Sequence, residues 1–190
     1  MRKLSTSEMG RLTVEEYKRS DKLPLTVVID NVRSQNNIGS IFRTSDAFKV
    51  ERICICGISS TPPHREIHKT ALGAEESVEW QHYESTEECV AMLKKEGYKV
   101  FAVEQAEGSE SPEKIEFQGK TAIVFGNEVE GVGDKVMEMV DGCIEIPQYG
   151  TKHSLNVSCA AAIVIWEVAK RWSEVSNQWS VVSNQLNIKI

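Results

Sequence analysis

Short apolar runs recur along the chain and alternate with stretches whose apolar residues follow helical spacing. Residues 25–30 (Leu-Thr-Val-Val-Ile-Asp) are mostly apolar and predict a buried strand, opened by Pro24. Residues 31–37 are polar and read as a loop. Ile38, Ile41, Phe42, Ala47 and Phe48 then share one face at helical spacing, predicting a helix over 38–48. A second strand follows at 52–57. After the loop 61–64, residues 66–72 predict a short helix closed by Gly73 as a C-cap glycine. Residues 78–83 suit a short strand. Positions 85–97 carry a Ser85 cap, Glu88 three residues on, the pair Lys94 and Lys95, and then Gly97, which together specify a helix.

The second half continues the alternation. Residues 98–103 predict a strand and 107–119 a polar connection. The unbroken apolar run 121–126 predicts a strand that is central and parallel. A helix over 134–140, a strand over 143–146 and a long helix from Ser154, as N-cap, to Trp172 complete the set. Residues 9–17 suit a short helix ahead of the first strand. Strands alternating with helices predict an α/β fold, a mostly parallel sheet with helices on both faces. The expected organisation is an N-terminal extension over 1–23, one folded domain over 24–172 and a flexible tail over 173–190. In that tail Val175-Ser-Asn-Gln178 recurs as Val182-Ser-Asn-Gln185. Val175, Trp179, Val182 and Leu186 would form a heptad stripe, but so short a Ser- and Asn-rich piece makes a marginal helix.

Composition narrows the class. A chain of 190 residues has room for one real core. No run is long and apolar enough to span a membrane, and the N-terminus has no apolar signal stretch. Five cysteines lack metal-ligand spacing. Cys54 and Cys56 alternate inside a strand and suit buried, reduced thiols, so a cytoplasmic protein without a metal is expected. The net charge of −6 argues against indiscriminate nucleic-acid binding, although not against a local basic patch. Arg33, Arg43, Arg65, His68 and Lys69 supply candidates for one. The acidic run from Glu75 to Glu88 reads as a solvated face.

Three polar clusters lie where strands end, the edge at which open α/β sheets bind ligands. They are Asn31-Val-Arg-Ser-Gln-Asn-Asn-Ile-Gly-Ser-Ile-Phe-Arg43, Phe125-Gly-Asn-Glu-Val-Glu-Gly-Val-Gly133 and Ile146-Pro-Gln-Tyr-Gly-Thr-Lys-His-Ser-Leu-Asn-Val-Ser158. Together, and in this order, they resemble the three signature motifs of the SpoU (TrmH-like) family of RNA 2′-O-ribose methyltransferases, within the SPOUT superfamily. The resemblance runs from Pro24 to about Lys170.

The resemblance implies a deep C-terminal trefoil knot, formed by the loops after Phe125 and Ile146 with the last helix threaded through. It implies S-adenosyl-L-methionine as cofactor, held largely by backbone groups at Gly126, Gly131, Ile146 and Leu155, with Val103 and Glu104 forming another wall. It implies Arg43 beside the reacting ribose and Asn37 holding the ribose and the arginine. Glu128 is expected to accept a hydrogen bond from Arg43 or from the third motif, with Ser154 and Asn156 contacting the ribose or shaping the methionine pocket. Guanidinium stays protonated in proteins, so Arg43 suits alkoxide stabilisation better than base catalysis. The implied partners are RNA, with tRNA ahead of rRNA, and a second copy of the chain. The helix 160–166 is apolar all round and so needs burial on more than one side. Members of the family dimerise there, which leaves open whether Arg43 serves its own site or its partner's.

Two other functions fit the same motifs: a knotted RNA-binding module without catalysis, and an enzyme that methylates a base. Other chemistries fit poorly. His153 and Ser154 are adjacent and do not form a nucleophile–base pair, and residues 126–133 lack the Gly-Lys-Ser/Thr ending of a phosphate loop.

Overall fold

The computed structural model describes residues 1–176, and the heptad stripe expected beyond them (Trp179, Val182 and Leu186) lies outside the described residues. Its centre is a six-stranded parallel sheet in the order β3-β2-β1-β5-β4-β6. The strands are β1 (Leu23–Asp30), β2 (Val50–Cys56), β3 (Glu79–Tyr83), β4 (Lys99–Val103), β5 (Thr121–Phe125) and β6 (Gly142–Ile144). The helices are α1 (Val14–Arg19), α2 (Gln35–Ala47), α3 (Arg65–Ala71), α4 (Ala74–Ser77), α5 (Thr86–Lys95), α6 (Asp134–Met137) and α7 (Val157–Ser176). Among the described residues, no helix is long and apolar enough to cross a membrane.

Alternate strand residues feed two separate cores, as a pleated sheet covered on both faces requires. Val27, Ile29, Ile53, Ile55, Ile123 and Phe125 pack under α2 and α7. Val28, Cys54, Cys56, Ala102, Ala122 and Val124 pack under α5 and α6. This double burial explains why β1 and β5 read as largely apolar runs, and β5 does lie at the centre. Cys54, Cys56 and Cys89 are buried free thiols on the second face. Pro24 falls where the β1–β2 register shifts, a position at which its missing N–H breaks no regular ladder.

Several boundaries differ from expectation, each for a local reason. The loop predicted over 31–37 is shorter, because α2 begins at Gln35 with Ser34 as N-cap, its Oγ accepting from the Asn37 N–H at 3.3 Å. The short helix α3 closes on Leu72, which itself adopts the left-handed conformation at φ 54°, and Gly73 follows at φ 93°. α6 ends at Met137, and β6 ends at Ile144, which leaves Ile146 in the following loop. The last helix starts at Val157, so Ser154 is not its cap. Asn156 is: its carbonyl accepts from the Ala160 N–H at 2.9 Å and its Oδ1 from the Ser158 N–H at 2.9 Å. The N-terminal helix is α1, shifted from the expected 9–17 behind a 3-10 turn at Thr6–Met9, and its Tyr17 joins the main core.

Candidate active site

The C-terminal ends of β4, β5 and β6 and the start of α7 enclose a cavity of about 430 Å³. Val103 and Glu104 form one wall, Gly126 to Gly131 a second, and Ile146, Ser154, Leu155 and Asn156 a third. Nine of the expected site residues therefore meet around one space, although they come from three distant segments. Arg43 and Asn37 do not line it.

The loop after β5 is held in a tight bend. Asn127 and Gly131 exchange backbone hydrogen bonds at 2.9 and 3.0 Å. The Asn127 side chain accepts from the Val129 and Glu130 N–H groups at 2.8 and 3.1 Å and donates to the Asn31 carbonyl at 2.7 Å. A Cβ at Gly126 would stand 2.2 Å from the Gly131 carbonyl carbon and 2.3 Å from the Val132 nitrogen. The loop's return strand thus occupies the space of a side chain at Gly126. At Gly131, with φ 70°, a Cβ would meet the Glu104 carboxylate at 2.1 Å. That carboxylate accepts from the Val132 N–H at 3.1 Å and the Gln105 N–H at 2.8 Å, which joins the β4 wall to the second motif.

Glu128 bonds to neither of its expected partners, Arg43 or the third motif. Its carboxylate takes the N–H groups of Arg33 and Ser34 at 3.0 and 3.1 Å, at the positive N-terminus of α2, and the Asn37 Nδ2 at 2.9 Å. Arg43 is exposed and its side chain forms no hydrogen bond or ion pair among the described residues. It lies farther along α2 than the residues that hold the carboxylate, so Glu128 binds the start of the helix instead. Burial raises the Glu128 pKa, but hydrogen bonds from Arg33, Asn37 and Ser34 outweigh it and leave the carboxyl below its ordinary value. Asn37 continues the chain of bonds, since its Oδ1 accepts from the Asn156 Nδ2 at 3.1 Å. Glu128, Asn37 and Asn156 therefore connect all three motifs.

Sequence reasoning missed several residues that shape the site. Asp30, 3% exposed, accepts from the Thr86 hydroxyl at 2.5 Å and the Gly133 N–H at 3.1 Å, anchoring the end of the second motif. Its signal was available, as an acid ending an otherwise apolar strand. Asn31, at φ 54°, accepts from the Ile58 N–H at 3.1 Å and gives its carbonyl to Asn127. Gln105 donates its side-chain amide to the His153 carbonyl and ties the loop over the cavity to β4. Nothing in the local sequence around Gln105 marks that contact. Among the described residues, no three His, Cys, Asp or Glu side chains are grouped as metal ligands.

The profile of the SpoU rRNA methylase family matches residues 24–166, which hold all three motifs. The chain belongs to this family. Over 166 residues it is 31% identical to a tRNA (guanosine(18)-2′-O)-methyltransferase of Thermus thermophilus, covering 87% of this chain and 84% of that one. The crystal structure of the A. aeolicus TrmH/SpoU tRNA modifying enzyme matches with a TM-score of 0.77 at 25% identity, covering 92% of this chain and 91% of that one. The AdoMet-bound rRNA methyltransferase of Sinorhizobium meliloti matches with a TM-score of 0.74 at 25% identity, over 80% of this chain and 61% of that one. The SpoU family thus accounts for the parallel α/β sheet and for the order of the three motifs around the cavity.

Proposed function

We propose that this SpoU-family chain transfers a methyl group from S-adenosyl-L-methionine to a ribose 2′-hydroxyl of RNA, tRNA before rRNA. The observation that carries the reading is the cavity bounded by the second and third motifs and bonded, through Asn37, to the first. Residues 24–172 form the catalytic unit, and the compartment is cytoplasmic.

The residues present suit the cofactor. The cavity volume of about 430 Å³ falls within the range of small-molecule sites. Its walls combine apolar Val103, Phe125, Ile146 and Leu155 with polar Glu104, Glu128 and Asn156. Among the described residues, the backbone N–H groups of Ile146 and Leu155 make no hydrogen bond, so both are free to hold polar atoms of a ligand. When bound, the cofactor supplies an electrophilic methyl group on a sulfonium sulfur.

The chain's own residues then position the acceptor. Asn156 and Ser154 line the cavity with an amide and a hydroxyl, and Asn37, bonded to Asn156, lies just behind them, groups suited to hold ribose oxygens. Glu128 fixes Asn37 and the first turn of α2. Arg43 contributes a permanent positive charge that lowers the cost of the developing 2′-alkoxide. The displaced proton passes to an RNA phosphate or to water. Arg43 lies outside the cavity of its own chain, and a second copy supplies the natural place for it. An exposed stripe on α7, with Cys159, Ile163 at 42% and Trp166 at 43%, supports a homodimer packed there. Trp166 also packs on Phe48, the C-cap of α2, with ring centroids 5.7 Å apart, so this face joins the end of the helix that carries Arg43.

The knot belongs to the same reading. It is supported by the course of the chain, which runs from β6, beside β4 at the sheet's edge, to α7 packed against α2 and β1. The test of the activity uses labelled cofactor with total RNA from cells that lack the gene. Label at a bond resistant to alkaline cleavage is the expected result, and label on a base, or none, refutes it.

A further inference from the structure

We infer that the RNA is gripped through its phosphodiester backbone on the face where α3 lies against α2, with Arg65 and Lys69 as the main contacts. The inference rests on the methyltransferase reading and adds where the polymer docks.

The two helices are fastened closely. A Cβ at Gly39 would lie 2.1 Å from Thr70 Oγ1 and 2.3 Å from the Ile67 carbonyl oxygen. The Thr70 hydroxyl donates to the Asn36 carbonyl at 3.0 Å, while Ile67 and Ala71 are buried beneath. The loop before α3 is tied to the same place, because Gln35 Nε2 donates to Ser60 Oγ at 3.2 Å. The outer stripe of α3, made by Arg65, His68 and Lys69, is therefore held beside the outer stripe of α2, made by Asn36 and Arg43. Asn37, which is bonded to the cavity wall, starts that same helix.

The charges on this face lack partners of their own. Arg33, Arg43 and Arg65 form no ion pair among the described residues. Among the described residues Lys69 pairs only with Glu66, at 3.6 Å, and both side chains are well exposed, which makes the pair weak. Of the two acids on α4, Glu75 turns inward with its side chain 10% exposed and bonds to His68 at 2.5 Å, while Glu76 is exposed and forms no ion pair among the described residues. A chain of net charge −6 thus presents guanidinium and ammonium groups without strong ion pairs beside α2, the helix whose first turn is bonded to the cavity wall. Closely spaced phosphates are the complement of such a surface, and contacts to them position an RNA without reading its sequence.

The test compares wild-type protein with Arg65→Ala/Lys69→Ala and with Lys95→Ala/Lys135→Ala, which removes the same charge from the opposite face of the sheet. Labelled cofactor and total RNA from cells lacking the gene are the reagents. The α3 pair is expected to raise KM for RNA about tenfold or more, with kcat within about twofold and cofactor affinity unchanged. Losing two phosphate contacts should also flatten the salt dependence of kcat/KM by about 1.4 to 1.8 in logarithmic slope. An unchanged KM and slope overturn the inference and leave the activity standing, as they would if the face served an acidic protein. An equal rise in the Lys95→Ala/Lys135→Ala protein also overturns it, since net charge would then explain the effect. Absence of transfer by the wild-type protein refutes the activity itself, and this inference with it.

Discussion

Asn37 and Glu128, 91 positions apart in the chain, are joined by a hydrogen bond of 2.9 Å that docks the first motif on the second. The same carboxylate takes two backbone N–H groups at the head of α2, so one side chain sets where that helix begins.

Replacing Glu128 tests this anchor. Glu128→Gln keeps one acceptor but turns an amide toward donors, and is expected to cut kcat at least tenfold with a stability loss of about 1 kcal/mol. Thermal unfolding and single-turnover transfer measure the two effects. The folded pKa is below the ordinary value, so the carboxylate's contribution is complete above that value and is lost as pH falls through the folded one. The stability gap between wild-type protein and Glu128→Gln should therefore shrink below roughly pH 4.

Arg43 is exposed and unpartnered among the described residues, so its removal should cost the fold less than about 0.5 kcal/mol. Arg43→Ala is expected to abolish methyl transfer nearly completely while cofactor affinity stays within a few-fold. Unchanged turnover would remove Arg43 from the mechanism.

Gly126→Val should destroy cofactor binding. The added side chain collides with the Gly131–Val132 backbone and forces the second-motif loop out of its bend. Isothermal titration with S-adenosyl-L-methionine reads the loss, and retained binding would mean that the loop does not form the cofactor wall.

Asn156 has two separable duties. Asn156→Ala removes the α7 cap and the bond to Asn37, and should cost about 1 kcal/mol along with turnover. Asn156→Ser restores a capping oxygen without an amide donor, so stability should recover while kcat stays low. Recovery of both would assign Asn156 to capping alone.

Ile163→Glu places a charge in the exposed stripe of α7. Sedimentation is expected to shift from dimer to monomer, with transfer lost. A variant that stays dimeric would remove that stripe from the interface.

Much of this was legible locally. The strands from 25 to 30 and from 121 to 126 announced themselves because burial on both faces leaves few polar positions, Thr26, Asp30 and Thr121 among them. The α5 helix was readable from Ser85, whose hydroxyl does accept from the Glu88 N–H at 3.2 Å. Errors fell where the signal was shared between segments. Ser154 resembled a cap, yet the cavity loop runs farther and Asn156 takes that role. Glu128 was expected to meet Arg43 or the third motif, but Arg43 lies farther along α2 and the carboxylate instead takes the N–H groups at the start of that helix.

By itself, the order of residues determined the alternation of elements, the apolar strands and the set of polar loops at their ends, because propensity and periodicity act over a few neighbours. Only the tertiary structure decided which of those loops touch. The Glu104 carboxylate beside Gly131, the Asp30 hold on Gly133 and the Glu128–Asn37–Asn156 connection all join residues far apart in the chain. Such contacts depend on strand order and on backbone approach within a fraction of an ångström, and neither quantity is written in any local stretch of sequence.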